Sequence, residues 1–112
     1  MPVRLAILAA AIAAPLAAQA PAPDGRELHG RTVVVEYADG QRIEAAFKAD
    51  GTFAGKSGDQ AMAGTYKVQP GQLCFTFDSG GECWPYAAAF VPGRTTDSTA
   101  PDGRKVKITL HP

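Results

Sequence analysis

From residue 31 to the end of the chain, apolar and polar residues alternate with a period of two. This alternation is typical of β-strands, because successive side chains point to opposite faces. The clearest example is segment 42–48, where Ile43, Ala45 and Phe47 alternate with mostly charged residues. The same pattern occurs in residues 31–37, 52–56, 62–68, 73–77, 82–88 and 104–110. We therefore predict seven strands, each with one apolar face and one polar face.

Turn signals separate these segments at the spacing expected of an all-β domain. Three of them are Asp-Gly pairs, at residues 39–40, 50–51 and 102–103. Asp-Gly favours tight hairpin turns, because both central residues of such a turn need a positive φ. The short connections therefore predict that consecutive strands pair antiparallel.

A meander of this many strands has to curl in order to bury one face and protect its edges. The predicted fold class is therefore all-β: a small antiparallel meander of seven to eight strands curled into a barrel or half-barrel. A two-sheet sandwich is the alternative. Residues 95–100 are too polar to assign and form either an edge strand or a long loop, and no helix is predicted after residue 20.

Residues 1–20 differ in kind from the rest of the chain. Arg4 is their one charge, residues 5–18 are apolar, and Ala18-Gln19-Ala20 has the small-x-small form of a signal peptidase site. The apolar stretch is shorter than the roughly 20 residues that span hydrocarbon. We predict a signal peptide (1–20), a flexible lead-in (21–30) and a single β-domain (31–112), exported to the periplasm or secreted.

The balance of basic and acidic side chains argues against two classes of binding partner. The 112 residues contain 11 basic and 11 acidic side chains, and loss of the leader removes one of the basic ones. A nucleic-acid partner is not expected, because it would require a basic face. An anionic membrane surface is not expected for the same reason.

The two cysteines, Cys74 and Cys83, both follow the leader. In an oxidising compartment an isolated pair is most simply a disulfide. Their spacing does not match the Cys-x-x-Cys of redox proteins. A zinc site would need further ligands, and only His29 and His111 are candidates. We predict a Cys74–Cys83 disulfide, with no metal and no cofactor.

The sequence gives little indication of a catalytic site. Residues 55–57 (Gly-Lys-Ser) resemble the end of a phosphate-binding loop, but the preceding glycine is one position too close and a turn follows instead of a helix. Neither histidine lies in a well-patterned strand, where it would serve as a base for a nucleophile. The acids Asp59, Asp78, Glu82 and Asp97 offer carboxylates for glycoside chemistry, but nothing selects a pair. The sequence predicts a protein that is not an enzyme.

The most suggestive segment is aromatic. Trp84, the only tryptophan of the chain, and Tyr86 follow the second cysteine. They either fill the core or line a pocket for a small ligand. With Lys56 and Ser57 they form the predicted binding surface, and the expected partner is a protein or a small apolar ligand.

Three motifs resemble a family of small secreted proteobacterial β-proteins of unknown function. They are Gly-Thr-Tyr-Lys-Val at 64–68, Leu-Cys at 73–74 followed by Cys-Trp at 83–84, and Asp-Gly-Thr-Phe-Ala-Gly at 50–55. Tyr66 stands where that family commonly has Trp. The resemblance implies a curled antiparallel sheet with a Cys–Cys hairpin, and it implies no catalytic residues.

A weaker resemblance is to periplasmic inhibitors of c-type lysozyme, whose inhibitory loop reads Ser-Gly-x-x-Tyr. Residues 57–61 read Ser-Gly-Asp-Gln-Ala and lack the tyrosine. Two functions follow as hypotheses. The first is a non-enzymatic binding or structural module of the bacterial envelope. The second is an inhibitor of a cell-wall hydrolase that acts through a loop such as 56–60.

Overall fold

The computed structural model describes residues 22–112. The predicted signal peptide and Pro21 lie outside these residues. The described part of the chain consists of eight strands, preceded by one short 3-10 helix. The prediction of an all-β fold is confirmed. The helix is Arg26–Leu28, and the strands are β1 Thr32–Tyr37, β2 Arg42–Phe47, β3 Thr52–Ser57, β4 Gln60–Gln69, β5 Gln72–Phe77, β6 Gly80–Pro85, β7 Thr95–Thr99 and β8 Lys105–Leu110.

The eight strands form one antiparallel sheet in the order β6-β5-β4-β3-β2-β1-β8-β7. This is the order of a closed up-and-down barrel with a single junction left open, between β6 and β7. The two edge strands approach each other, with Cα atoms within 8 Å at a few positions, but no ladder pairs them within residues 22–112. The fold is therefore a curled half-barrel, as predicted, and not the two-sheet sandwich.

The segment that the sequence left unassigned, residues 95–100, contains the edge strand β7. Every residue of β7 pairs with β8. Lys107 Nζ donates to Asp97 Oδ1 at 2.9 Å across this ladder. β7 lies at an open edge of the sheet, where most of its side chains are exposed, and its residues are polar. The alternation of apolar and polar residues is therefore too weak to identify this strand from the sequence.

Two glycines permit the sheet to curl. Gly55 on β3 and Gly64 on β4 occupy positions at which a Cβ atom would overlap the carbonyl oxygens of Glu44 and Thr76, respectively. Glycine inside a strand otherwise weakens it, and in curved sheets it marks places where backbones approach closely. At both positions only glycine fits the curvature observed.

The core lies on the inner face of the half-barrel. Its centre is an aromatic cluster in which Phe47 meets Tyr66 edge-on, with ring centroids 4.8 Å apart, and Phe53 meets Phe75 edge-on at 5.2 Å. Edge-to-face aromatic pairs contribute about 0.5–1.5 kcal/mol beyond the area they bury. The apolar positions predicted on β1, Val33, Val35 and Tyr37, also face this core.

The half-barrel has two different ends, which we name by their connections. The mouth is the end formed by the turns at residues 38–41, 58–59, 78–79 and 100–104. The floor is the end formed by the turns at 48–51 and 70–71, the loop 86–94 and the 3-10 helix. The loop 86–94 crosses the floor from β6 to β7.

Residues 22–30, which belong to the predicted lead-in 21–30, contact the core through one side chain. Leu28 has no exposed surface, because the 3-10 helix places it inside the core. Two backbone hydrogen bonds to Phe47 fix the end of this segment: Gly30 N donates to Phe47 O and Phe47 N donates to Arg31 O, both at 2.9 Å. The Pro- and Gly-rich composition of this segment gave no sign that one apolar side chain anchors it.

The disulfide joins Cys74 and Cys83, which are directly opposed on β5 and β6 with their Cα atoms 4.0 Å apart. The turn between these strands is Asp78-Ser79. The pairing agrees with the prediction. The bridge lies outside the core, on the face opposite Leu73.

Within residues 22–112, none of the helical structure is long and apolar enough to cross a membrane.

Candidate functional site

The interior of the half-barrel is not completely filled. It contains a cavity of about 340 Å³. Apolar side chains make most of the wall, among them Val35, Ile43, Phe75 and Ile108. This volume is at the lower limit of the range of about 300–1,000 Å³ found for small-molecule sites. A chamber of this size and character suits one small, mostly apolar molecule.

The tryptophan of β6 forms part of the cavity wall. Trp84 is 9% exposed, and its Nε1 donates a hydrogen bond of 2.6 Å to Oε2 of Glu82. Both side chains point to the inner face because they are two residues apart on the same strand. Glu82 is exposed at the mouth end of β6, so an apolar ring and a carboxylate lie side by side where the cavity opens.

The opposite side of the mouth is held by Arg104. Its Nε donates to Asp102 Oδ2 at 2.7 Å, and its Nη1 donates to both Asp39 Oδ2 at 3.2 Å and Gln41 Oε1 at 3.0 Å. The side-chain amide of Gln41 extends this hydrogen-bond network by donating to Ser57 Oγ at 3.1 Å. These bonds join three of the four turns or strand ends at the mouth, so this side of the opening has a defined shape.

Tyr37 lies beneath this network. The guanidinium of Arg104 is 4.2 Å from the centre of its ring, a separation at which the cation is attracted to the ring face. Tyr37 is 8% exposed and lines the cavity. Burial raises the pKa of its phenol, and the charge of Arg104 offsets part of that increase. Among residues 22–112 no group hydrogen-bonds the Tyr37 hydroxyl.

The floor is closed by a second carboxylate. Oε2 of Glu27 accepts hydrogen bonds from the Tyr86 hydroxyl at 2.5 Å and from the backbone N–H of Phe90 at 3.0 Å. The rings of Tyr86 and Phe90 pack with their centroids 5.5 Å apart. Burial raises the pKa of Tyr86 well above its usual range, and the hydrogen bond that its hydroxyl donates to Glu27 raises it further. The 3-10 helix thereby holds the loop 86–94 across this end.

The predicted binding residues are distributed over different places. Trp84 and Ser57 both line the cavity. Tyr86, which is 2% exposed, lies at the floor and belongs to the core. Lys56 is exposed on the outer face of β3. The structure thus brings together two of the four residues.

The loop considered for hydrolase inhibition is a tight hairpin. Ser57 pairs directly with Gln60, so only Gly58 and Asp59 lie in the turn between β3 and β4. It does not project as an extended loop. The inhibitor hypothesis therefore gains no structural feature and stays a prediction.

Metal and catalytic alternatives were also located. His29 and His111 are both exposed. In the part of the chain that the structure describes, no three His, Cys, Asp or Glu side chains converge as a metal site would require. Of the four acids considered as catalytic carboxylates, Asp97 is paired with Lys107 and Glu82 with Trp84. All four are exposed.

Comparisons of the chain with protein-family models, with curated proteins and with solved structures found no significant match.

Two residues of this arrangement were missed by the sequence reasoning. Glu27 is 59 positions from Tyr86, and Arg104 is 65 positions from Asp39. Each is an ordinary charged residue in a segment that reads as a turn or lead-in. Their partners are set by the closure of the sheet, for which a single sequence carries no local signal.

Proposed function

We propose that this chain is an exported, non-enzymatic binding protein that holds one small, mostly apolar ligand inside its half-barrel. The observation that carries the proposal is the cavity of about 340 Å³, which has apolar walls and polar groups only at its mouth. Sites of this composition bind by burying an apolar body while a few polar groups orient it.

Three further features support a binding role. The contacts of Glu27 hold the loop 86–94 across the floor, while polar groups that line the cavity lie at the mouth. The network around Arg104 gives the mouth a fixed polar border. The disulfide between Cys74 and Cys83 is consistent with an oxidising compartment outside the cytoplasm, where the predicted signal peptide would direct the chain.

The proposal is tested with the chain's own fluorophore. Trp84 is the only tryptophan and lies in the cavity wall, so a ligand that enters should change its emission saturably. A series of straight-chain alcohols should bind about fourfold more tightly for each added methylene, because each buried CH₂ contributes about 0.8 kcal/mol. The trend should stop once the chamber is full. Calorimetry should show the negative heat-capacity change of apolar burial.

A matched pair of variants locates the site on β2. Ile43→Phe adds volume to the cavity wall and should weaken alcohol binding at least tenfold. Glu44→Gln, one residue away on the exposed outer face, should leave it unchanged. The proposal is wrong if no alcohol produces a saturable signal, or if Ile43→Phe binds as tightly as the parent.

A further inference from the structure

The mouth of the cavity has an excess of negative charge. Three carboxylates, Asp39, Asp102 and Glu82, line the mouth together with one guanidinium, that of Arg104. Two of those carboxylates are already paired with it, Asp102 at 2.7 Å and Asp39 at 3.2 Å. Glu82 belongs to none of the ion pairs formed among residues 22–112.

Glu82 retains capacity to bind a ligand. Its Oε2 accepts the hydrogen bond from Trp84, while no group of the described residues donates to Oε1. The Glu82 side chain is exposed and also lines the cavity next to Trp84. A carboxylate in this position is an acceptor for a donor carried by a ligand whose body lies in the cavity.

The Tyr37 hydroxyl is a second group without a partner. Tyr37 as a residue is nine-tenths buried and lines the same cavity as Glu82, and the charge of Glu82 helps to raise the pKa of its phenol. A buried polar group normally has a hydrogen-bond partner, because leaving it unpaired is costly. A ligand head group that donates to Oε1 of Glu82 and to the phenol oxygen would satisfy both.

From these observations, and resting on the proposed function, we infer that the ligand is a small amphipathic amine, with its apolar body in the chamber and its ammonium group at Glu82. A primary ammonium has three donors and a positive charge, which matches one carboxylate and one phenol. A carboxylic acid is disfavoured, because Arg104 already makes hydrogen bonds to Asp102, Asp39 and Gln41 and the mouth already carries an excess of negative charge.

The test compares three ligands that share one apolar tail: octylamine, 1-octanol and octanoate. Octylamine should bind about tenfold more tightly than 1-octanol, in line with the strength of hydrogen bonds to charged groups. Octanoate should bind most weakly. The advantage of the amine should shrink as salt is added, because the site lies at an exposed opening.

Two variants assign the effect to named groups. Glu82→Gln removes the charge but keeps an oxygen for Trp84, so it should weaken octylamine about tenfold and abolish its advantage, while the uncharged 1-octanol should lose much less affinity. Tyr37→Phe should weaken octylamine about threefold and 1-octanol by less, because an ammonium has three donors and a hydroxyl has one. Glu44→Gln, the same change on the outer face, should alter neither ligand.

The possible results distinguish failure of the amine inference from failure of the proposed function. Binding of 1-octanol without any preference for octylamine, or tightest binding of octanoate, would overturn the amine inference and leave the apolar site intact. Equal weakening of octylamine and 1-octanol by Glu82→Gln would also overturn it, because Glu82 would then have only a structural role. If none of the three ligands binds, the proposed function fails and the amine inference fails with it.

Discussion

Glu27 and Glu82 each accept a hydrogen bond from an aromatic side chain, at opposite ends of the half-barrel. At the floor, one oxygen of Glu27 accepts from both Tyr86 and the backbone of Phe90, and the loop is held closed. At the mouth, Glu82 accepts from Trp84 alone and keeps a free oxygen beside the cavity. A glutamate carboxylate thus closes the floor at one end, and a second glutamate carboxylate remains available to a ligand at the other end.

The difference between the two ends follows from what each carboxylate is packed against. Glu27 lies next to Leu28, which is fully buried, and its partners come from a loop that has no ladder of its own. Glu82 lies on an edge strand beside an open chamber. The floor is therefore expected to contribute stability and the mouth to contribute binding.

The largest effect should come from removing the apolar anchor of the floor. Leu28→Ala should lower the free energy of unfolding by about 2–5 kcal/mol, because it leaves a void at a fully buried position. Met62→Ala, at a half-buried position on the cavity wall, should cost only about 1 kcal/mol. Urea denaturation measures both. Equal losses would show that the two ends do not differ in packing.

Loss of the disulfide should be nearly as costly, although the bridge lies outside the core. Reduction of the Cys74–Cys83 bond should lower stability by about 2.5–3 kcal/mol, because the unfolded chain regains the entropy of a short closed loop. A thiol reductant should therefore depress Tm in the parent. It should have no effect on a double Cys→Ser variant, which controls for the reductant itself. An unchanged Tm in the parent would contradict this expectation.

The two carboxylates can be compared by the same substitution. Glu27→Gln should lower the free energy of unfolding by about 1–2 kcal/mol, because it weakens two charge-assisted hydrogen bonds that hold the floor. Glu82→Gln should change it by less than about 0.5 kcal/mol, as is usual for an exposed side chain. Hydrogen exchange should show faster opening of the Phe90 amide in Glu27→Gln alone. Comparable destabilisation by both variants would contradict the assignment of separate roles.

Ionisation of the tyrosines should have the smallest effect on stability at neutral pH. Tyr86 and Tyr37 both have a raised pKa, and the increase is greater for Tyr86 because Glu27 adds to burial, whereas Arg104 opposes burial at Tyr37. Above pH 10, near the pKa of an unfolded tyrosine, the folded state holds protons that the unfolded state loses. Stability should therefore be constant just below about pH 10 and fall as the pH rises beyond it.

Absorbance at 295 nm, followed in Tyr37→Phe and Tyr86→Phe, assigns each titration. Tyr37 should ionise at lower pH than Tyr86. Tyr86→Phe should also reduce the fall of Tm with pH. The reverse order of ionisation would show that Arg104 does not act on the Tyr37 phenol.

Much of the fold was predictable because its rules are local. The alternation of Ile43, Ala45 and Phe47 identified β2 and its inner face, and the presence of two cysteines after the leader identified the Cys74–Cys83 disulfide. The limits of β6 were less well predicted, since this strand ends at Pro85 instead of continuing to residue 88. The candidate site was predicted only in part. Trp84 and Ser57 line the cavity, but Lys56 does not.

What the sequence determined by itself is sidedness: which residues of each strand share a face, and where turns separate the strands. These depend on a period of two and on short-range turn chemistry. The tertiary structure alone decided that the open junction lies between β6 and β7, that Leu28 anchors the floor, and that Glu82 and Tyr37 share one cavity. Those contacts join residues far apart in the chain, and only the curling of the whole sheet brings them together.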